Sequence, residues 1–484
     1  MSIDEKKSTI EYDRAFGMAA HLKHGWLAEL LLRLTICGLF RARIKATMAD
    51  EYKTAESARE VFGITEKNAP VAVAQREHNA FDPAERLSLK EIRELDEKYV
   101  LQTYARMPVA FQYGAGDRLY DTEGKEYIDF LSGIAVTALG HAHSDLIAAL
   151  TTQAEMLWHT SNLFFNQQQA QLARALVEIN FPGKVFFCNS GTEANEAAIK
   201  FMRAYGQTKQ PARQKIVAVK DGFHGRTFGA LSVTGQDKIQ KGFGEILGHI
   251  EFVEVDDIAS LSAAIDATTC GVILEPVLGE SGVIPLSADF LKIARARCNE
   301  EGALLCLDEI QIGTGRSGHY FAYQHYGIIP DLLTMAKGLG GGFPIGAMLV
   351  AEKHAGVFEK GMHGSTFGGN HLATAVAYEV LRTIESEKLL DHVQSSSRYL
   401  MSLLGKLKQK YPEKIIEVRG LGLLIGIVMK EGIEARPLVE KSLKHGLLIG
   451  RGGNNVLRLA PPLNVRKQTM DAAVQKLDEL IGSL

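Results

Sequence analysis

Between residues 184 and 337 one arrangement recurs: a short apolar run with little alternation, followed in several cases by a stretch of helical periodicity. The runs are KVFFCNS (184–190), KIVAVK (215–220), HIEFVEV (249–255), CGVILEPV (270–277), ALLCLDEI (303–310) and LLTMAK (332–337). A strand that does not alternate is buried on both faces. Helices placed between such strands act as crossovers, so the pattern predicts an α/β fold with a mostly parallel sheet. Upstream, DRLYDTEGKEYIDF (117–130) alternates around a Glu123-Gly124 turn and predicts a hairpin. After residue 371 a long helical region leads to KIIEVRGLGLLIGIVM (414–429) and NNVLRLAPP (454–462), which predict a smaller α+β domain. The resulting division is a helical N-terminal extension over 1–92, the N-terminal part of the small domain over 93–145, a large domain over 146–375 and the C-terminal part of the small domain over 376–484.

In open α/β sheets, ligands bind outside the carboxyl ends of the strands. Four predicted strand ends carry polar residues. Ser190, Gly191 and Thr192 open a helix, where unpaired N–H groups and the positive end of the dipole favour an anion. Asp308 and Glu309 follow an apolar run, where a carboxylate is costly without a positive partner. Phe223 and His224 precede Arg226, an aromatic to cover a flat ring and a guanidinium to grip a carboxylate. Lys337 stands between an apolar run and a glycine-rich turn. Singly, each has an ordinary structural explanation: an N-cap, an ion pair, a surface loop. Together they are the parts needed to hold pyridoxal phosphate. The helix start takes the phosphate, the carboxylate keeps the pyridine nitrogen protonated, and the lysine bonds the aldehyde carbon. That lysine must be neutral to attack, so its pKa must fall well below about 10.4.

Other chemistries are poorly supported. GTGRSG (313–318) matches GxGxxG, but a poor amphipathic helix follows it and no acid ends a second strand about twenty residues on. There is no P-loop, HExxH, paired CxxC or nucleophile elbow, and no metal site is expected. A net charge of −3 gives no reason to expect nucleic acid or an anionic membrane as partner. The five cysteines (Cys37, Cys188, Cys270, Cys298, Cys306) are scattered, which predicts a reducing compartment and no disulfides. The N-terminus mixes acids and bases ahead of no clean apolar core, so no signal peptide is expected. WLAELLLRLTICGLF (26–40) contains Glu29 and Arg33 and is short for a span; a helix packed on protein is the expectation. The extension is assigned no chemistry.

From about residue 95 to its end the chain resembles the class-III (ω-) aminotransferases, fold-type-I pyridoxal-phosphate enzymes. NSGTEANEAAIK, FHGRTFGALSVTG, LDEIQIGTGRSG, DLLTMAKGLGGGFPIGAML and GSTFGGN carry the resemblance, in order. It implies that Lys337 is the Schiff-base lysine and Asp308 the acid on the pyridinium nitrogen. Gln311 lies near the ring hydroxyl, Phe223 stacks on the ring with His224 beside it, and Ser190, Gly191 and Thr192 cradle the phosphate. Thr366 reaches the phosphate of a neighbouring subunit, which implies a homodimer with shared sites. Arg226 holds the substrate's distal carboxylate, and Glu280 with Arg458 forms a switching pair that exposes Arg458 only for a dicarboxylate. Within the family, GIAVTALGHAH (133–143) and LWHTSNLFF (157–165) most resemble acetylornithine aminotransferases. This implies a small-molecule amino donor, N-acetylornithine, with 2-oxoglutarate as acceptor, in the cytoplasm. Donors such as ornithine, succinylornithine, 4-aminobutyrate or putrescine remain alternatives. As in ornithine aminotransferases, Tyr104 lines the substrate entrance. Ser144 and His371 stand where the family usually has proline, and Ile312 where a small or polar residue is commoner.

Overall fold

The computed structural model describes residues 86–484, which form one compact unit. The segment 26–40, Cys37 and most of the N-terminal extension lie outside the described residues. The first described helix, Leu89–Tyr99, is capped by Ser88 and crosses the boundary drawn at residue 92.

The six apolar runs are strands of one seven-stranded sheet. They are β1 (Gly183–Cys188), β2 (Lys215–Val219), β3 (Ile250–Val253), β4 (Thr269–Leu274), β5 (Leu304–Asp308) and β6 (Leu332–Met335). The seventh, β7 (Gly346–Ala351), was not anticipated. Its residues GAMLVA follow a glycine-rich turn and contain one β-branched side chain, and a run so short carries no period of its own. The order is β1-β7-β6-β5-β4-β2-β3. β7 pairs antiparallel with both β6 and β1, and the other strand pairs are parallel. Strands β4 and β5 are buried at every residue, as the missing alternation requires.

Four helices matter to the argument: α1 (Ser144–Met156), α2 (Gly191–Gln207), α3 (Ala288–Glu301) and α4 (His371–Ser386). Helix α3 shows why such segments start and stop where they do. The Ser287 side chain accepts from Phe290 N–H at its start, and Gly302 ends it at φ +65°. Ser144 and His371, where the resemblance leads one to expect proline, are the first residues of α1 and α4. An N–H at that position has no intrahelical acceptor, so exchanging proline forfeits only its preset φ. Ile312 is buried in an apolar cluster with Val277, Val283 and Leu424, which accounts for its side chain there.

The predicted hairpin forms from Arg118–Asp121 and Glu126–Asp129. Glu126–Asp129 also pairs in parallel with Leu447–Leu448, joining segments far apart in the chain. A second, antiparallel sheet takes Ile415–Leu421, Leu424–Met429, Val456–Leu459 and Gly450–Gly452. Phe130, Leu404, Ile425, Leu457 and Leu477 share one apolar core between these layers. The GTGRSG turn serves packing: Arg316 is fully buried and its Nη1 donates to the carbonyls of Leu423 (3.0 Å) and Pro461 (2.8 Å).

Candidate active site

Because six of the seven strands run the same way, their carboxyl ends share one edge of the sheet. A cavity of about 420 Å³ opens there, within the range of small-molecule sites. Ser190, Gly191, Thr192, Phe223, His224, Arg226, Glu280, Asp308, Gln311 and Lys337 all line it. Ten residues singled out from the sequence thus converge, from segments spread over nearly 150 positions. Arg458 joins them through Glu280, whose Oε1 is 2.5 Å from Arg458 Nη1. Tyr104 and Thr366 do not. Tyr104 is 74% exposed beside Arg106, and Thr366 is exposed in a separate depression lined by His159, Asn162 and Asn166.

The helix start is built with care. The Ser190 side chain caps α2 by accepting from Glu193 N–H at 3.3 Å, and the Glu193 carboxylate accepts from Asn189 N–H at 2.6 Å. This leaves the N–H groups of Gly191 and Thr192 at the head of the helix for a ligand. Two glycines let backbone close in around them. Gly225 sits at φ +139°, and a methyl there would fall on the Thr192 side chain. A methyl on Gly346, at the start of β7, would fall on the Ser190 carbonyl oxygen. Gly346→Ala is therefore expected to displace the helix start and weaken pyridoxal phosphate binding about tenfold or more. Equilibrium titration of the unloaded protein checks this, and wild-type affinity would remove Ser190 from the cradle.

Asp308 ends β5, 3% exposed. Its Oδ2 is 2.7 Å from His224 Nδ1 and accepts from Asn195 Nδ2 at 2.7 Å. Asn195 is fixed in turn: its Oδ1 accepts from Thr334 Oγ1 (2.8 Å) and its Nδ2 also donates to the His224 carbonyl (2.7 Å). Burial alone would depress the His224 imidazole, but the Asp308 hydrogen bond and charge, with Glu275, raise it above its ordinary value. Asn195 was missed in the sequence. It lies on the buried face of α2 with Ala198, Ile199 and Met202, so a polar residue in that helical stripe was the available signal.

Lys337 heads a short 3₁₀ helix at φ +46°, a left-handed conformation that is strained for a side chain with a Cβ. It is half-buried, and its amine makes no hydrogen bond or ion pair among the described residues. Burial lowers its ammonium below the ordinary value. Arg458 adds to this, against the pull of Glu280, Glu275 and Asp308. Burial would raise the Glu280 carboxyl, yet Arg458, Lys337 and Gln311 hold it down. Gln311 bridges the pair, donating to Glu280 Oε1 at 3.2 Å and accepting from Arg458 Nη1 at 3.3 Å. Arg226 is exposed, its guanidinium carbon 5.8 Å from the Phe223 ring centroid, and has no ion-pair partner among the described residues. Helix-start donors, a buried carboxylate, a ring-sized cavity wall and a neutralisable lysine are what pyridoxal phosphate requires, so the residues fit that group.

Comparison with known proteins agrees. Residues 99–481 match the family model "Aminotransferase class-III". The chain is 45% identical over 390 residues to the acetylornithine aminotransferase of Caldanaerobacter subterraneus subsp. tengcongensis, covering 80% of this chain and 98% of that one. Among solved structures it is similar to the N-acetylornithine aminotransferase of Stenotrophomonas maltophilia K279a (36% identity, TM-score 0.70, 81% of this chain and 98% of that one). It is also similar to an ornithine aminotransferase of Toxoplasma gondii with partial occupancy of PLP at its active site (32% identity, TM-score 0.78, 82% and 95%). With the fold, the site and these relatives in agreement, the chain belongs to the class-III aminotransferases, enzymes that depend on pyridoxal phosphate.

Proposed function

We propose that this enzyme moves the terminal amino group of N-acetylornithine to 2-oxoglutarate, giving N-acetylglutamate 5-semialdehyde and glutamate. The observation that carries the reading is the unequal state of two arginines. Arg226, exposed at the cavity rim, has no ion-pair partner among the described residues, while Arg458 is neutralised by Glu280. A donor with one carboxylate and a distant amine needs only Arg226. Glutamate and 2-oxoglutarate carry a carboxylate at each end and need a second guanidinium, which Arg458 provides once Glu280 turns away. An unmasked Arg458 against an uncharged chain would be costly. The acetylornithine aminotransferases among the relatives support the same donor.

In this reading Gly191 and Thr192 N–H groups hold the phosphate, Phe223 covers the ring and Asp308 faces its nitrogen, steadied by His224 and Asn195. Gln311, also in the cavity wall, would lie near the ring hydroxyl. Pyridoxal phosphate supplies, when bound, an aldehyde carbon and a ring that withdraws electrons from the substrate carbon. The Lys337 Nζ would take the proton from the donor's amine-bearing carbon and hand it on two bonds away, across the transferred nitrogen. Burial lowers the Lys337 pKa, the direction a general base requires.

The enzyme is proposed to work as a homodimer, with Thr366 reaching the neighbouring subunit's phosphate site and Tyr104 at the substrate entrance. Supporting this, Thr366 shares a depression with His159 and Asn162, and Trp158, Leu163 (87% exposed), Phe164 and Phe367, close to these in sequence, are exposed. An apolar surface of that kind marks an interface. A cytoplasmic setting is part of the same reading, supported by buried free thiols at Cys188, Cys270, Cys298 and Cys306. Among the described residues no helix is long and apolar enough to cross a membrane.

The test is a half-reaction. The pyridoxal form is mixed separately with N-acetylornithine, ornithine, 4-aminobutyrate and putrescine, and its conversion followed by absorbance. N-acetylornithine is expected to react at least about tenfold faster than the others, the scale set by one lost ionic or hydrogen-bonded contact. Faster conversion with ornithine or a diamine keeps the aminotransferase and overturns the donor.

A further inference from the structure

Glu275 lines the cavity but has no part in the chemistry above. It follows β4 and is 7% exposed. In the parallel register Leu274 faces Leu307, so Glu275 and Asp308 follow at neighbouring strand ends. Two carboxylates enclosed so close together are costly unless each is engaged. Asp308 is engaged by His224 and Asn195. Glu275 is engaged differently, by two backbone N–H groups from opposite walls. Its Oε1 accepts from Phe223 N–H at 2.8 Å and its Oε2 from Gly279 N–H at 3.4 Å.

Each wall bears on a separate function. Phe223 begins the segment that continues through His224 to Arg226. Gly279 precedes Glu280, and its carbonyl accepts from Arg458 Nη1 at 3.1 Å. The Gly279 turn has no slack, since a methyl there would fall on the Gln311 carboxamide. Ser281 and Gln236 join the same walls further out, at Asp221 and Gly222, through contacts nearer solvent. Glu275 is the buried connection and the one that reaches Phe223 itself.

We propose that Glu275 is a positioning residue whose two carboxylate oxygens tie the 223–226 segment to the Gly279 turn, so that one side chain sets both the ring cover and the Glu280/Arg458 pair. The inference rests on the assignment of those two elements to cofactor and acceptor made above. Burial and the Asp308 charge raise the Glu275 carboxyl against the opposing His224.

Two variants separate the two ends of the tie. Glutamine keeps one acceptor oxygen, which stays with the shorter Phe223 contact, and turns its NH₂ against Gly279 N–H. Alanine offers neither acceptor. Glu275→Gln is expected to hold pyridoxal phosphate with near wild-type affinity while KM for 2-oxoglutarate rises about tenfold and kcat changes little. Glu275→Ala is expected to show the same acceptor defect and, in addition, about tenfold weaker cofactor binding to the unloaded protein. Thermal melts of the unloaded proteins report folding. A wild-type 2-oxoglutarate KM in Glu275→Gln, or an equal fall with donor and acceptor, overturns the tie. Wild-type cofactor affinity in Glu275→Ala also overturns it. Should the wild-type enzyme reject N-acetylornithine, the donor assignment fails, but the cofactor titration still reads the Phe223 end of the tie.

Discussion

Lys337→Ala is expected to abolish amino transfer, with a loss of at least about 10⁴-fold in kcat for every donor. A positioned general base is worth about 10²–10⁴ on its own, and the covalent role of the same amine adds to that. The size of the effect follows from the surroundings. Among the described residues, no other primary amine lines the cavity; Arg226 and Arg458 cannot deprotonate in the working range, and the His224 imidazole is committed to Asp308. Single-turnover absorbance with N-acetylornithine measures the rate. Borohydride treatment provides a second readout: the wild-type protein is expected to retain its cofactor covalently and the variant to release it. The backbone adds a refinement. Alanine at φ +46° is strained as lysine is, so the variant does not relieve the local conformation, and the loss reports the amine rather than a repaired turn. Turnover within about tenfold of wild type would remove Lys337 from the chemistry.

The second large effect is at Asp308. Asp308→Ala is expected to retain the phosphate contacts at Gly191 and Thr192 and so still bind pyridoxal phosphate, but to lose about 10²–10³-fold or more in carbon deprotonation. Two costs combine. A negative charge disappears from beside the ring nitrogen, and His224 Nδ1 and Asn195 Nδ2 lose a shared acceptor inside a buried cluster. With proton removal made the slow step, a donor deuterated at its amine-bearing carbon is expected to show a full primary isotope effect in the variant and a smaller one in wild type. A rate loss below about fivefold, with no rise in the isotope effect, would show that the ring nitrogen does not depend on Asp308.

The difference between what was legible in the sequence and what was not has a physical pattern. Lys337 and Asp308 could be found because each is a charged residue at the end of an apolar run, where it must be in use or paired. Glu275 obeys the same rule after TCGVIL, but its partners are backbone N–H groups, which leave no mark on the sequence. Asn195 was hidden by an alanine-rich helix that looked complete without it. The β7 strand was masked by the glycines before it, and it is the strand that gives the sheet its one reversed direction. Tyr104 and Thr366 mark a different limit. The resemblance implies a neighbouring subunit's site for Thr366 and the substrate entrance for Tyr104, and within one chain both are exposed.

That reversed strand acts as a measuring device. The helix start proposed to take the anion follows β1, Lys337 follows β6, and β7 lies between them. Anchor and amine are therefore separated by two interstrand intervals, about 10 Å in all, fixed by backbone hydrogen bonds rather than by side-chain reach. Asp308 stands one interval further along, after β5. Drift of individual side chains on such a gauge changes affinity by degrees. Insertion or loss of one strand changes the ligand length that fits by a whole step. A sheet of this order therefore suits this chain to a ligand of one span, set by its strands rather than by the loops at its edge.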